Sequence, residues 1–118
     1  MRRLEQKFQT FVVKALRYAC PDCFVFHVPN GGQRSRFEGA IFKGMGTVAG
    51  VPDLVVLWHG GAGFLELKAG KGGLSESQRA VHARLAALGY PVAVVRTMEE
   101  VEAALVSWGA PNRFHAET

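Results

Sequence analysis

At 118 residues the chain has room for one domain with a real hydrophobic core and none for a second. The formal net charge is +4, and it is unevenly spread: residues 1–84 carry 12 Lys and Arg against 6 Asp and Glu, residues 85–118 carry 2 against 4. That asymmetry favours a polyanionic partner for the first part of the chain. No apolar run approaches the roughly 20 residues of a membrane span and no signal peptide is visible, so a soluble, cytoplasmic protein is expected.

The segment Arg2 to Ala19 places Leu4, Phe8, Phe11, Val12, Ala15 and Leu16 on one stripe at helical spacing. Glu5 flanks the stripe, and Arg2, Arg3 and Lys7 beside it are either a solvated face or phosphate contacts. Cys20-Pro21-Asp22-Cys23 is a C-x-x-C without a second pair to complete a zinc site, and it follows a helix where a thioredoxin-type motif opens one. It reads as two ordinary thiols in a turn. Phe24 to Val28 reads as a short buried strand with His27 as a satisfied core histidine, ended by the loop Pro29-Asn30-Gly31-Gly32. A polar, basic stretch then leads into a helix with Phe37, Ala40, Ile41 and Gly44 on one face. Asn30, Arg34 and Arg36 are thereby offered to a phosphate backbone.

The stretch Gly50 to Lys68 carries the chemistry. Two apolar runs, Leu54 to Trp58 and Phe64 to Lys68, flank His59-Gly60-Gly61-Ala62-Gly63 and predict an antiparallel hairpin. Side chains alternate along a strand, so Glu66 and Lys68 share one face. Asp53 joins them if Val55 lies opposite Glu66 and Asp53 opposite Lys68; a one-residue slip sends it to the other face. Two carboxylates brought together repel, and a cation between them relieves the repulsion. Hard oxygens with room for water suit Mg²⁺ or Mn²⁺. The plain alternative is a solvated Glu66–Lys68 pair, with Asp53 merely starting a strand after Pro52.

After Lys68 the loop Ala69 to Gly73 offers Lys71 to a phosphate backbone. Ser75 with Gln78 three residues later is a capping box opening a helix, and Gln78 shares a face with Val81, Leu85 and Leu88. Gly89 and Pro91 close that helix, Val92 to Val95 forms a last strand, and Thr97 with Glu100 opens a final helix with Val101, Ala104, Leu105 and Trp108 inward. The domain is expected to span residues 1–109, with 110–118 a frayed tail. The order helix, strand, helix, hairpin, helix, strand, helix predicts an α/β fold, a mixed β-sheet flanked by helices.

The ordered set Glu5, Gly50-Val51-Pro52-Asp53, Glu66-Leu67-Lys68, Ser75 and Gln78 resembles the virus-type replication-repair nuclease (VRR-NUC) domain of the PD-(D/E)xK superfamily, from the first helix to about Trp108. The resemblance implies a restriction-endonuclease-like fold and a metal-dependent DNA endonuclease, in a bacterial or phage-infected cell. It implies that Asp53, Glu66 and the Leu67 carbonyl hold Mg²⁺ or Mn²⁺ and that Lys68 positions the attacking water, with Glu5 and Gln78 in support. A Pro-Asn element near the site in the family strengthens the phosphate reading of Asn30. Nothing in the chain reads bases, so structure-selective cutting is expected, of branched DNA or a four-way (Holliday) junction, by a homodimer to whose interface Phe42, Met45 and Val48 contribute. A non-catalytic DNA-binding module is the alternative, expected if the strand register separates the acids.

Overall fold

The computed structural model describes residues 2–29 and 36–115. Helix α1 (Arg2–Ala19) leads to strand β1 (Phe24–His27), helix α2 (Arg36–Gly44), the hairpin β2 (Leu54–Trp58) and β3 (Gly61–Leu67), helix α3 (Glu76–Ala87), strand β4 (Val92–Val95) and helix α4 (Met98–Trp108). The strands form one mixed sheet in the order β1-β2-β3-β4. β1 and β3 run antiparallel to β2, while β4 runs parallel to β3 after the α3 crossover.

Alternation along the strands divides the sheet into two unlike faces. One presents Val25, Leu54, Val56, Leu65, Leu67 and Val95, all buried, to Val12, Leu16 and Ala19 of α1 and to Val101, Ala104 and Leu105 of α4. Each fully buried Leu there contributes about 1.5–3 kcal/mol. The other face carries α3 toward its β4 side and holds Phe24, Phe26, Val55, Leu57 and Phe64, which are half-buried or exposed. The strand at the start of the sheet is therefore half-buried where the sequence predicted a buried one. His27 is exposed, so it is not a core residue.

Two residues of the predicted α1 stripe, Leu4 and Phe11, lie outside the core and are exposed, because at 100° per residue they fall well round the helix from Val12 and Leu16. In α2 the described side chains are exposed apart from the half-buried Gly39 position, and Phe42, Met45 and Val48 lie on the surface. The end of the chain is not frayed through its described part. Ala110 is buried, Arg113 N–H donates to the Ala19 carbonyl at 2.8 Å, and Phe114 packs against the core. Asn30 and Arg34 lie outside the described residues, as does the side chain of Arg36.

Candidate active site

The hairpin register differs by two residues from the predicted one. Val55 lies opposite Phe64 and Leu54 opposite Leu65, so Asp53 falls opposite Glu66 and not opposite Lys68. The cause is in the glycines. Gly61 and Gly63 belong to β3 and only His59-Gly60 turn the chain, with Gly60 at φ +84°. A Cβ on Gly61 would stand 2.4 Å from the Trp58 ring, and one on Gly63 2.4 Å from the Trp108 ring. These glycines make room for the two indoles, which stack at 6.4 Å, and so are strand residues under an aromatic pair. A two-residue shift preserves the face, and Asp53, Glu66 and Lys68 still converge.

Backbone contacts fix Asp53. Its carbonyl accepts from the Val28 N–H at 3.1 Å and is bonded by His27 Nδ1 at 3.0 Å, which anchors the start of β2 to the end of β1. Its carboxylate Oδ2 accepts the Leu67 N–H at 2.8 Å. Continuing the ladder would set Leu67 against Pro52, which has no N–H to offer the Leu67 carbonyl. Proline thus ends the ladder where the site begins, and the Leu67 carbonyl, on the same edge of β3 as the Leu67 N–H, points to the Asp53 side.

Glu66 is only 2% exposed. Its Oε1 lies 3.0 Å from His82 Nε2, and its Oε2 accepts from the Gln78 amide at 3.4 Å. Burial, then hydrogen bonding to Asp53 and the charge of Asp53, push its carboxyl up to about 9, opposed by Lys68; Glu5 adds to the rise. Two carboxylates in contact cannot both be anionic without a proton or a cation between them. With the Leu67 carbonyl alongside, the donor set fits a hard divalent ion held by one or two carboxylates and water. Among the described residues no three His, Cys, Asp or Glu side chains group around one point.

Gln78 joins the pieces. Its Oε1 accepts from Lys68 Nζ at 3.0 Å and from the Ser75 N–H at 2.9 Å, while its own N–H donates to Ser75 Oγ at 3.1 Å. The capping box and the link to Lys68 are made by one side chain. Val81 and Leu85 on the same face are only half-buried and Leu88 is exposed. Gly50, at φ +91°, brings the loop before Asp53 against this helix start; a Cβ there would stand 2.5 Å from the Ser77 carbonyl. Glu5 is half-buried on the core side of α1, near enough for its charge to bear on Glu66. Lys71 is exposed in a loop whose Gly70 and Gly72 carbonyls accept from the Arg96 guanidinium, both at 2.6 Å.

His82 is the residue that sequence reasoning missed. Its signal was position: one helical turn after Gln78, it faces the same carboxylate. Burial lowers its pKa, and so does Lys68, which favours the neutral ring. The two thiols of the C-x-x-C are free; burial pushes Cys20 up to about 12 and also raises Cys23, which disfavours the thiolate at both.

A mixed sheet with two acids and a lysine gathered where an antiparallel hairpin ends, and a glutamine on the next helix reaching back to them, defines a nuclease-type α/β fold. The model of the VRR-NUC domain family matches residues 13–99, most of the chain, and the protein belongs to that family. The match begins after Glu5. A solved structure described as a VRR_NUC domain protein superposes with a TM-score of 0.65 at 24% identity, over 88% of this chain and 86% of the other, and shows the same fold. No curated protein matches the chain.

Proposed function

We propose that the protein is a Mg²⁺- or Mn²⁺-dependent endonuclease that hydrolyses phosphodiester bonds in DNA and selects its substrate by shape. The observation that carries this reading is the convergence of Asp53, Glu66 and Lys68, with Lys68 Nζ held 3.0 Å from Gln78 Oε1, in a chain of this family. A bound divalent ion supplies a Lewis acid for a phosphoryl oxygen and lowers the pKa of its water. Asp53, Glu66 and the Leu67 carbonyl are the residues that hold it. Lys68, steered by Gln78, orients the attacking water and offsets the negative charge that grows on the phosphoryl group. Glu5 supports the site from the side of α1.

Lys71, together with Asn30, Arg34 and Arg36, contacts the DNA backbone. Such contacts position a duplex without reading it, which favours branched DNA or a four-way junction over a base sequence. A homodimer matches the twofold symmetry of a junction, and the exposed Phe42, Met45 and Val48 support an isologous patch on α2 and the turn after it. The test is cleavage of end-labelled linear, flapped, forked and four-way DNA with Mg²⁺, Mn²⁺, Ca²⁺ or chelator. Cutting with Mg²⁺ or Mn²⁺ alone, lost in a folded Lys68→Ala, is expected. Full activity in excess chelator refutes the metal, and a tight preference for one short base sequence refutes shape selection. Light scattering at micromolar protein reads the dimer.

A further inference from the structure

The outward side of α1 is not explained by the core or by the site. Arg3, Lys7, Phe11, Lys14 and Tyr18 recur at intervals of four, four, three and four residues, so they form one narrow line along the helix. All five are exposed. Phe11 leaves 57% and Tyr18 74% of its surface in solvent, a large apolar expense for a helix with a full core stripe on its other side. Arg3, Lys7, Phe11 and Lys14 lie together with Gln6 and Thr10 on an open stretch of the helix surface. The acid of this helix, Glu5, lies on the opposite side, toward the core. At the far end, the Arg113 guanidinium lies 4.9 Å from the Tyr18 ring centroid and donates to the Tyr18 carbonyl at 2.9 Å, which braces the ring and adds a cation.

We propose that this line is a binding track for single-stranded DNA, with Phe11 and Tyr18 stacking on unpaired bases and Arg3, Lys7 and Lys14 holding the phosphates between them. The proposal rests on the nuclease reading and deepens it, because it names the unpaired arm of a branched substrate as the feature recognised. Cations alone would serve a duplex equally well, since its phosphates are all that a helix surface meets outside the grooves. Exposed aromatic rings interleaved with cations serve a strand whose base faces are open. Along the helix axis the track begins within one turn of Glu5, on the opposite side of the helix, and runs roughly 22 Å to Tyr18 at 1.5 Å per residue.

The experiment is fluorescence anisotropy of the full chain in chelator, with a short labelled oligothymidine and a blunt duplex of mixed sequence. The double variant Phe11→Ala/Tyr18→Ala is expected to weaken single-strand binding about tenfold or more and leave duplex binding within about twofold. Lys7→Glu/Lys14→Glu should weaken both, and it serves as the second variant should the aromatic pair prove unstable by circular dichroism. Unchanged single-strand affinity in both variants, or equal losses on both probes in the aromatic variant, overturns the proposal. So does binding to anionic phospholipid vesicles that depends on the same residues without single-strand affinity, which would make the face a membrane contact. Lys68→Ala separates the two readings. Cleavage that needs Lys68 without any effect of the aromatic variant sinks the track alone; single-strand binding through the track in a protein that cuts nothing sinks the nuclease alone.

Discussion

Replacing Gly50 by alanine tests how the loop before Asp53 is held against α3. The added Cβ would stand 2.5 Å from Ser77 C and O and 2.8 Å from Gln78 N, all backbone atoms that no rotamer change can move. The position also sits at φ +91°, which costs an L-residue about 1–2 kcal/mol. Overpacking against main chain adds about 1–3 kcal/mol, so a total loss of roughly 2–5 kcal/mol is expected in urea unfolding. Relief must come from separating the loop from the helix start, which moves Asp53 relative to Gln78. Gly63→Ala is the matched control. Its Cβ would strike the Trp108 ring at 2.4 Å, on the core face and away from the acids. With both variants assayed well below their unfolding midpoints, Gly50→Ala should lose most of its cleavage rate and Gly63→Ala little. A stability loss under about 1 kcal/mol, or equal rate losses in the two, would refute the idea that Gly50 sets the spacing.

Three further outcomes follow from the site and its surroundings. Glu66 has its carboxyl raised to about 9 when folded against 4.5 as the free residue, so the folded state binds the extra proton between these values. Metal-free protein should therefore lose stability as pH rises from about 7 to about 8.5, a range in which His82, whose pKa is lowered, is neutral; thermal melts in chelator read this, and Glu66→Gln should flatten the slope. His82→Ala strips Glu66 Oε1 of a 3.0 Å partner and is expected to weaken Mn²⁺ binding by roughly tenfold to a hundredfold by calorimetric titration, with partial recovery in His82→Gln; unchanged affinity would reduce His82 to a packing residue. Cys20, buried and pushed up to about 12, should resist alkylation at neutral pH until the chain unfolds, and rapid labelling of the native protein would contradict its burial.

Much of this was legible in the sequence because it follows from parity. Glu66 and Lys68 share a face in any extended strand, and a two-residue error in pairing left Asp53 beside them. The error itself came from reading Gly61 and Gly63 as turn residues, when the indoles of Trp58 and Trp108, far apart in the chain, require bare backbone there. Gln78 was found through its spacing from Ser75, a local signal. His82 carried only its spacing of one helical turn from Gln78, and a lone histidine on a helix becomes meaningful only once the carboxylate it faces is known. The exposed Phe11 was misplaced because apolarity alone assigned it to the core stripe, whereas helical geometry sets it aside from Val12 and Leu16.

Helix α3 has no buried residue along its twelve positions. What holds it down is the close approach of Gly50, the cap at Ser75, and the polar grip of Gln78 and His82 on Lys68 and Glu66. Opening of this helix therefore also removes polar partners from the site. Its amides should be among the first in the folded chain to exchange with deuterium, since little apolar burial opposes its opening. Each such opening pulls the partner from Lys68 and two from Glu66 together, and whatever occupies the pair of acids tightens the same helix. Helix α3, with no buried residue of its own, thus lies where a ligand held by the two acids would add to its anchoring.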